Sequence, residues 1–152
     1  MKDLALRWTR WLTDAVRQHL LDAGLLFLRV GLGATMMLAH GWGKLTSYGE
    51  KADSFPDPLG VGSPLSMALA VFAEFFCSLL LIAGLGTRLA AANLIVTMAV
   101  AFFLVHGDDP WQRKELAFVY LLPYVALFLT GPGRWSCDAL IVRWLGAAKG
   151  EA

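Results

Sequence analysis

Charge is scarce in this chain. Only 16% of its 152 residues are Asp, Glu, Lys or Arg, against roughly 25% in a soluble domain. A water-facing surface is hard to build from so little. The net charge of +1 leaves no electrostatic footprint for nucleic acid, which is set aside. Cysteine is nearly missing: Cys77 and Cys137 have neither a CxxC spacing nor partner histidines nearby, so they read as ordinary thiols. No Gly-rich phosphate loop and no Ser-His-Asp order is available to force an enzyme class. His40 and His106 both stand at the ends of apolar runs, so the inner-span histidines that bis-His haem ligation needs are lacking. The N-terminus also lacks a continuous apolar signal region, since Arg7, Arg10, Asp14 and Arg17 interrupt it. The first helix is therefore expected to stay in the mature protein.

What is present is long hydrophobic runs. Hydrophobic residues make up 57% of the chain and its mean hydropathy is +0.57. Four runs, about 23–41, 65–84, 89–106 and 115–131, each approach the ~20 residues needed to cross a bilayer core. They predict an all-α fold: an integral membrane four-helix transmembrane bundle, one domain over 22–138, followed by a cytoplasmic tail at 139–152. Ahead of it, Leu4, Trp8, Trp11, Leu12 and Ala15 recur at helical spacing opposite Asp3, Arg7, Arg10, Asp14 and Arg17. That pattern predicts an N-terminal interfacial amphipathic helix over residues 1–21, or a solvated helix packed on protein. The six tryptophans lie outside or at the ends of the runs, at headgroup level.

The connections at 84–88 and 107–114 are short, which makes consecutive helices antiparallel neighbours. The stretch 45–64, with Pro56, Pro58, Pro64, Gly60 and Gly62, reads as an ordered loop or re-entrant piece, and its length invites a functional reading. Lys2, Arg7, Arg10, Arg17, Arg88, Arg134, Arg143 and Lys149 fall on one side of this topology, against Lys44, Lys51, Arg113 and Lys114 on the other. The bias favours a cell (inner) membrane protein with both termini in the cytoplasm. His40-Gly41 and His106-Gly107 close the first and third runs, and a Gly-x-Gly with a following Arg closes the second and fourth. Two parallel hairpin repeats would produce this, and so would coincidence.

Arg29 and Glu74 are the charges set deep inside apolar runs, where an unpaired charge costs on the order of 3 kcal/mol. Each needs a partner, and the topology predicts a buried Arg29–Glu74 pair, with Asn93 and Tyr124 in the same half to complete it. Such a pair either fixes helix register or marks a proton or headgroup site. At the opposite end His40, Lys44, His106, Glu115 and Tyr120 are expected to converge on one mouth. Histidine passes protons near neutral pH, a carboxylate holds its tautomer and tyrosine donates to a carbonyl, as a quinone-like ring would require. They could equally cap helices at the water boundary. A metal bound by His40, His106, Glu115 and Asp108 or Asp109 is chemically conceivable, but no single helix has HxxxH or ExxH spacing, and no metal is expected.

These segments together resemble the DoxX family of small membrane proteins. The likeness runs from about Leu25 to Asp138 and is carried by Leu28-Arg29-Val30-Gly31, His40-Gly41-Trp42-Gly43-Lys44-Leu45, Ala73-Glu74, the turn from Gly84 to Ala91, His106-Gly107, Glu115-Leu116-Ala117 with Tyr120, and Gly131 to Asp138. The resemblance implies a redox-associated membrane component, since relatives include a subunit resembling those of a thiosulfate:quinone oxidoreductase. It does not by itself settle function.

The leading expectation is a quinone-binding or quinone-reactive subunit of an oxidoreductase, with quinone as a possible ligand and no tightly bound cofactor. It would work with a soluble redox partner on the cytoplasmic side and could form a homo-oligomer. Two alternatives stand beside it: a non-catalytic scaffold presenting residues 1–20 to a redox enzyme, and a small proton or solute pathway through Arg29 and Glu74.

Overall fold

Proline and glycine punctuate the helices. Pro64 opens one at its first turn, Pro110 precedes another, and Gly84, Gly86 and Gly131 take positive φ where helices stop or start. The computed structural model describes the backbone of residues 2–150 and the side chains of residues 13–146, and among them there is no strand.

Helix α1 covers Lys2–Met36 and continues without a break through a π turn, Met37–Gly41, and a last α turn, Trp42–Thr46. A single turn, α2 (Tyr48–Lys51), leads into the loop. Helix α3 is built from Ser63–Val71, a π turn at Phe72–Cys77 and Ser78–Ala83. Helix α4 spans Thr87–Val100 and ends in a π turn, Ala101–Val105. Helix α5 is Trp111–Thr130 and α6 is Cys137–Gly150.

Among the described residues three helical stretches are long and apolar enough to cross a membrane: Thr13–Thr46, Ser63–Ala83 and Thr87–Val105. Helix α5 is 20 residues long but carries Arg113, Lys114 and Glu115 in its first turns. The interfacial helix and the first span, expected as two pieces at 1–21 and 23–41, are one continuous rod, because nothing between them breaks a helix; Gly24 faces open space and is tolerated. The amphipathic face expected over residues 2–12, Trp8 and Trp11 included, lies outside the described side chains. The stretch expected as a tail, 139–152, is helical through Gly150.

Helices α1 and α3 run antiparallel and touch through glycine. A Cβ on Gly33 would meet Ser78 and Ile82, and one on Gly41 would stand 2.6 Å from the Glu74 carbonyl oxygen. Helices α4 and α5 pack along their length. Met36, Cys77, Leu81, Leu94, Tyr124 and Leu127 form the centre of the core. The outer faces are apolar as well, with Phe27 80%, Leu89 76% and Leu129 68% exposed, the reverse of what water would select.

Candidate functional site

The bundle carries polar groups at both ends, and their roles differ. At one end Arg29 is completely buried. Its Nη1 donates to the carbonyls of Leu81 and Ile82 at 3.2 Å each, and its Nη2 to that of Trp135 at 2.7 Å. The guanidinium thus caps the last turn of α3, where carbonyls lack intrahelical partners and the helix dipole is negative. Gly84 makes room for it: its φ is +68°, and a Cβ there would overlap both Arg29 and Ser136.

Asp138 closes the same end. Its amide donates to the Gly84 carbonyl at 2.9 Å, while its carboxylate accepts from the amides of Gly86 and Thr87 at 2.7 and 3.0 Å, capping α4. Burial pushes its carboxyl up, but the Thr87 and Gly86 donors and the Arg29 charge outweigh this and hold it below the ordinary carboxylate range. Asp22, also buried, accepts from the Arg134 amide at 2.9 Å. These contacts join α1, the α3–α4 turn and the segment entering α6. Three of the five Arg29 N–H groups are thus committed to backbone carbonyls, and its Nε is buried without a partner.

The expected Arg29–Glu74 pair therefore does not form. With α1 running unbroken to Thr46, its register against α3 places Arg29 level with Ile82 and Gly41 level with Glu74. The two charges are separated by about eight residues of helix, ~12 Å. Glu74 instead pairs with Lys44, one turn beyond Gly41, at 2.5 Å. The Glu74 side chain is 7% exposed and that of Lys44 26%.

The Lys44–Glu74 pair opens on a cavity of about 450 Å³. Leu69, Phe72, Ala73, Val96, Val100 and Ala101 make its apolar walls, and Lys44, Glu74, Ser66, Asn93, Thr97 and His106 supply its polar atoms. Phe55, Pro56, Pro58 and Leu59 of the loop cover it. From Val105 down to Asn93 it follows α4 for about 18 Å. Leu69, Phe72 and Val96 are roughly half exposed on the outer surface as well, so the cavity opens sideways between α3 and α4. Two of the π turns, in α1 and α3, lie against one another beside it, and the third supplies Ala101 and Val105. Such turns recur at functional sites because the widened turn redirects side chains.

The cover is fastened by Asp57, which accepts from the amides of Val61 and Gly62 and from the Ser66 hydroxyl at 2.7–3.0 Å. The Ser66 bond, then the backbone amides, hold the Asp57 carboxyl below its usual value. A lowered folded value means the fastening is fully present above the unfolded carboxylate value of about 3.9 and is lost as pH falls through the folded one. Protection of the Val61 and Gly62 amides, measured by hydrogen exchange relative to the unstructured rate at the same pH, is expected to fall in that acid window, and at neutral pH in Ser66→Ala.

Of the residues expected at one mouth, Lys44 and His106 line the cavity, together with Asn93, which was expected beside Arg29 and Glu74. Asn93 bonds the Leu89 carbonyl within its own helix, and His106 faces Asp109 at 2.8 Å. His40 instead lies edge-on to Tyr120 at 6.0 Å, and Tyr120 stacks on Tyr124 at 6.0 Å. The Tyr124 hydroxyl is buried without a hydrogen-bond partner. Glu115 is exposed on α5, and among the described residues no three His, Cys, Asp or Glu gather as metal ligands.

The sequence reading marked the 45–64 loop for a functional role but did not single out Asp57 and Ser66 as its fastening or Phe55–Leu59 as a cover. The signal was an Asp placed shortly before Gly-Ser-Pro, an Asx-type prelude to a helix. Gly41→Ala should force α1 and α3 apart at Glu74 and lower stability by about 1–3 kcal/mol, read as a lower thermal midpoint in detergent.

Three helices of membrane-spanning length, with apolar side chains turned outward and polar groups gathered inside, define an integral membrane protein. The chain belongs to the DoxX family, whose model matches residues 24–107. The match includes Arg29, Lys44, Glu74 and His106 and stops before α5. Among curated proteins the chain is 29% identical to inner membrane protein YqjF of Escherichia coli over 124 residues, 79% of this chain and 93% of that protein. It is 32% identical to an uncharacterized protein of Haemophilus influenzae over 121 residues, 75% and 87% of the two chains. A second uncharacterized protein of that organism is 28% identical over 105 residues, 66% and 70%. No solved structure matches the chain.

Proposed function

We propose that this protein is a four-span inner membrane protein with both termini in the cytoplasm, and that the cavity beside Lys44 and Glu74 binds the ring of a membrane quinone for a redox enzyme. The observation that carries the reading is a part-buried ion pair set in the wall of a mainly apolar cavity that opens sideways between α3 and α4. A quinone needs donors for two carbonyls and an apolar slot for its isoprenoid tail. Lys44 Nζ and His106 offer the donors, Glu74 holds Lys44 in place, and the α3–α4 groove offers the slot.

Helix α5 serves as the fourth span: its charges sit in the first turns, beside the loop that follows α4, where they reach the headgroups. The name of the Escherichia coli relative supports the inner membrane, and the excess of Lys and Arg at the Arg29 end supports the orientation. Electrons would come from, or go to, a soluble partner on the cytoplasmic side. The proton pathway through Arg29 and Glu74 loses its ground, since Arg29 is committed to carbonyls and stands about 12 Å away.

The test is solvent extraction and mass analysis of lipids that co-purify in mild detergent, comparing wild type with Glu74→Gln and with His106→Ala. Near-stoichiometric quinone in wild type, reduced in both variants, is expected. Wild-type protein free of quinone, and unable to take it up from quinone-loaded nanodiscs, would overturn the reading.

A further inference from the structure

Helix α6 is fixed at its first turn, and its described residues from Leu140 to Gly146 are exposed. Asp138 ties its first turn to Gly84, Gly86 and Thr87, the last residue group of α3 and the first of α4. Two membrane-length helices meet there, so α6 starts at the boundary between hydrocarbon and water. Beyond this anchor its described residues make no extended contact with another helix.

Its composition is nevertheless that of a buried helix on one side. Leu140, Ile141, Trp144 and Leu145 fall on one face by the i, i+3, i+4 rule, and they are 45–72% exposed. Arg143 lies on the opposite face. Trp135 and Trp144, both exposed, place amphipathic rings at the start and middle of the segment. Arg88 and Arg134 are exposed at the same end.

We propose that α6 lies in the headgroup layer of the adjoining leaflet, its Leu140–Ile141–Trp144–Leu145 face in lipid and Arg143 toward water and anionic headgroups. The occupant of this face is lipid because the helix that carries it starts where two membrane-length helices meet, and the face is as apolar and exposed as the outer faces of the spans. The arginines at that end complement the charge of phosphatidylglycerol or cardiolipin. Helix α6 then holds the turn between α3 and α4 at a fixed depth through Asp138.

The test uses the full chain in nanodiscs of mixed zwitterionic and anionic lipid. Single nitroxide labels are placed by Ile141→Cys, Arg143→Cys, Trp144→Cys and Leu145→Cys in a Cys137→Ser background. Collision with oxygen, which concentrates in lipid, is compared with collision with a water-soluble nickel chelate. The expected result is oxygen access with nickel protection at 141, 144 and 145, reversed at 143. Nickel access at all four positions would overturn the proposal by showing a helix free in water. Protection from both reagents would also overturn it, by showing the face covered by protein, whether a second copy or another partner. Exposed positions are used throughout, so labelling does not depend on rebuilding the core.

Discussion

Arg29→Ala is expected to destabilise the protein by about 3–5 kcal/mol, enough to leave much of it unfolded in mild detergent. A buried arginine paired with a carboxylate can sometimes be exchanged for a hydrophobe together with its partner at little cost. That escape is closed here, because the partners are the backbone carbonyls of Leu81, Ile82 and Trp135, which no second substitution removes. Left buried, each acceptor bears its own desolvation cost of about 1–3 kcal/mol, and truncation adds a cavity at a fully buried site. Arg29→Lys keeps the charge but cannot spread donors over three carbonyls, and should recover only part of the loss. Unfolding in mixed micelles with increasing denaturing detergent, followed by circular dichroism, measures both. A wild-type midpoint for Arg29→Met would show that this end is held by other contacts.

The second large effect is an asymmetry between Lys44 and Glu74. Removing the ammonium by Lys44→Met strands a carboxylate that is 7% exposed, and a loss of roughly 3 kcal/mol is expected. Removing the charge of Glu74 by Glu74→Gln leaves a lysine that is 26% exposed and long enough to turn its head toward water; that loss should stay near 1 kcal/mol. The double variant Lys44→Met/Glu74→Gln should be more stable than Lys44→Met alone, a coupling that a double-mutant cycle isolates. Additive losses would mean the two groups do not rely on one another. Quinone retention in the same variants separates the roles further, because a pair that only fixes helix register would leave ligand content unchanged in whatever protein remains folded.

The helices were legible because apolar length is a direct reading of the bilayer. The runs at 65–84 and 89–106 differ from α3 and α4 only at their edges. Pairing was not legible. Two buried charges on neighbouring helices invite a match, yet their relative height depends on where each helix truly begins and on π turns that leave no mark in a single sequence. Extending α1 through residue 22 to Thr46 slid Glu74 away from Arg29 and opposite Gly41. Backbone acceptors were invisible for another reason: every residue carries the same carbonyl, and only the fold decides which ones a guanidinium finds. Lys44, Asn93 and His106 could be nominated because polar residues at the ends or middle of apolar runs are few. His40 and Tyr120 were nominated by the same rule, and they face each other rather than the cavity.

The Arg29 contacts also impose an order on biosynthesis. Arg29 leaves the ribosome 52 residues ahead of Leu81 and 106 ahead of Trp135. The first span must therefore enter the bilayer, or wait in the insertion machinery, with an uncapped guanidinium. The α3 hairpin relieves it in part, and Trp135, beyond α5, completes the coordination. A nascent protein stalled before Trp135 holds that guanidinium at membrane depth short of its third acceptor.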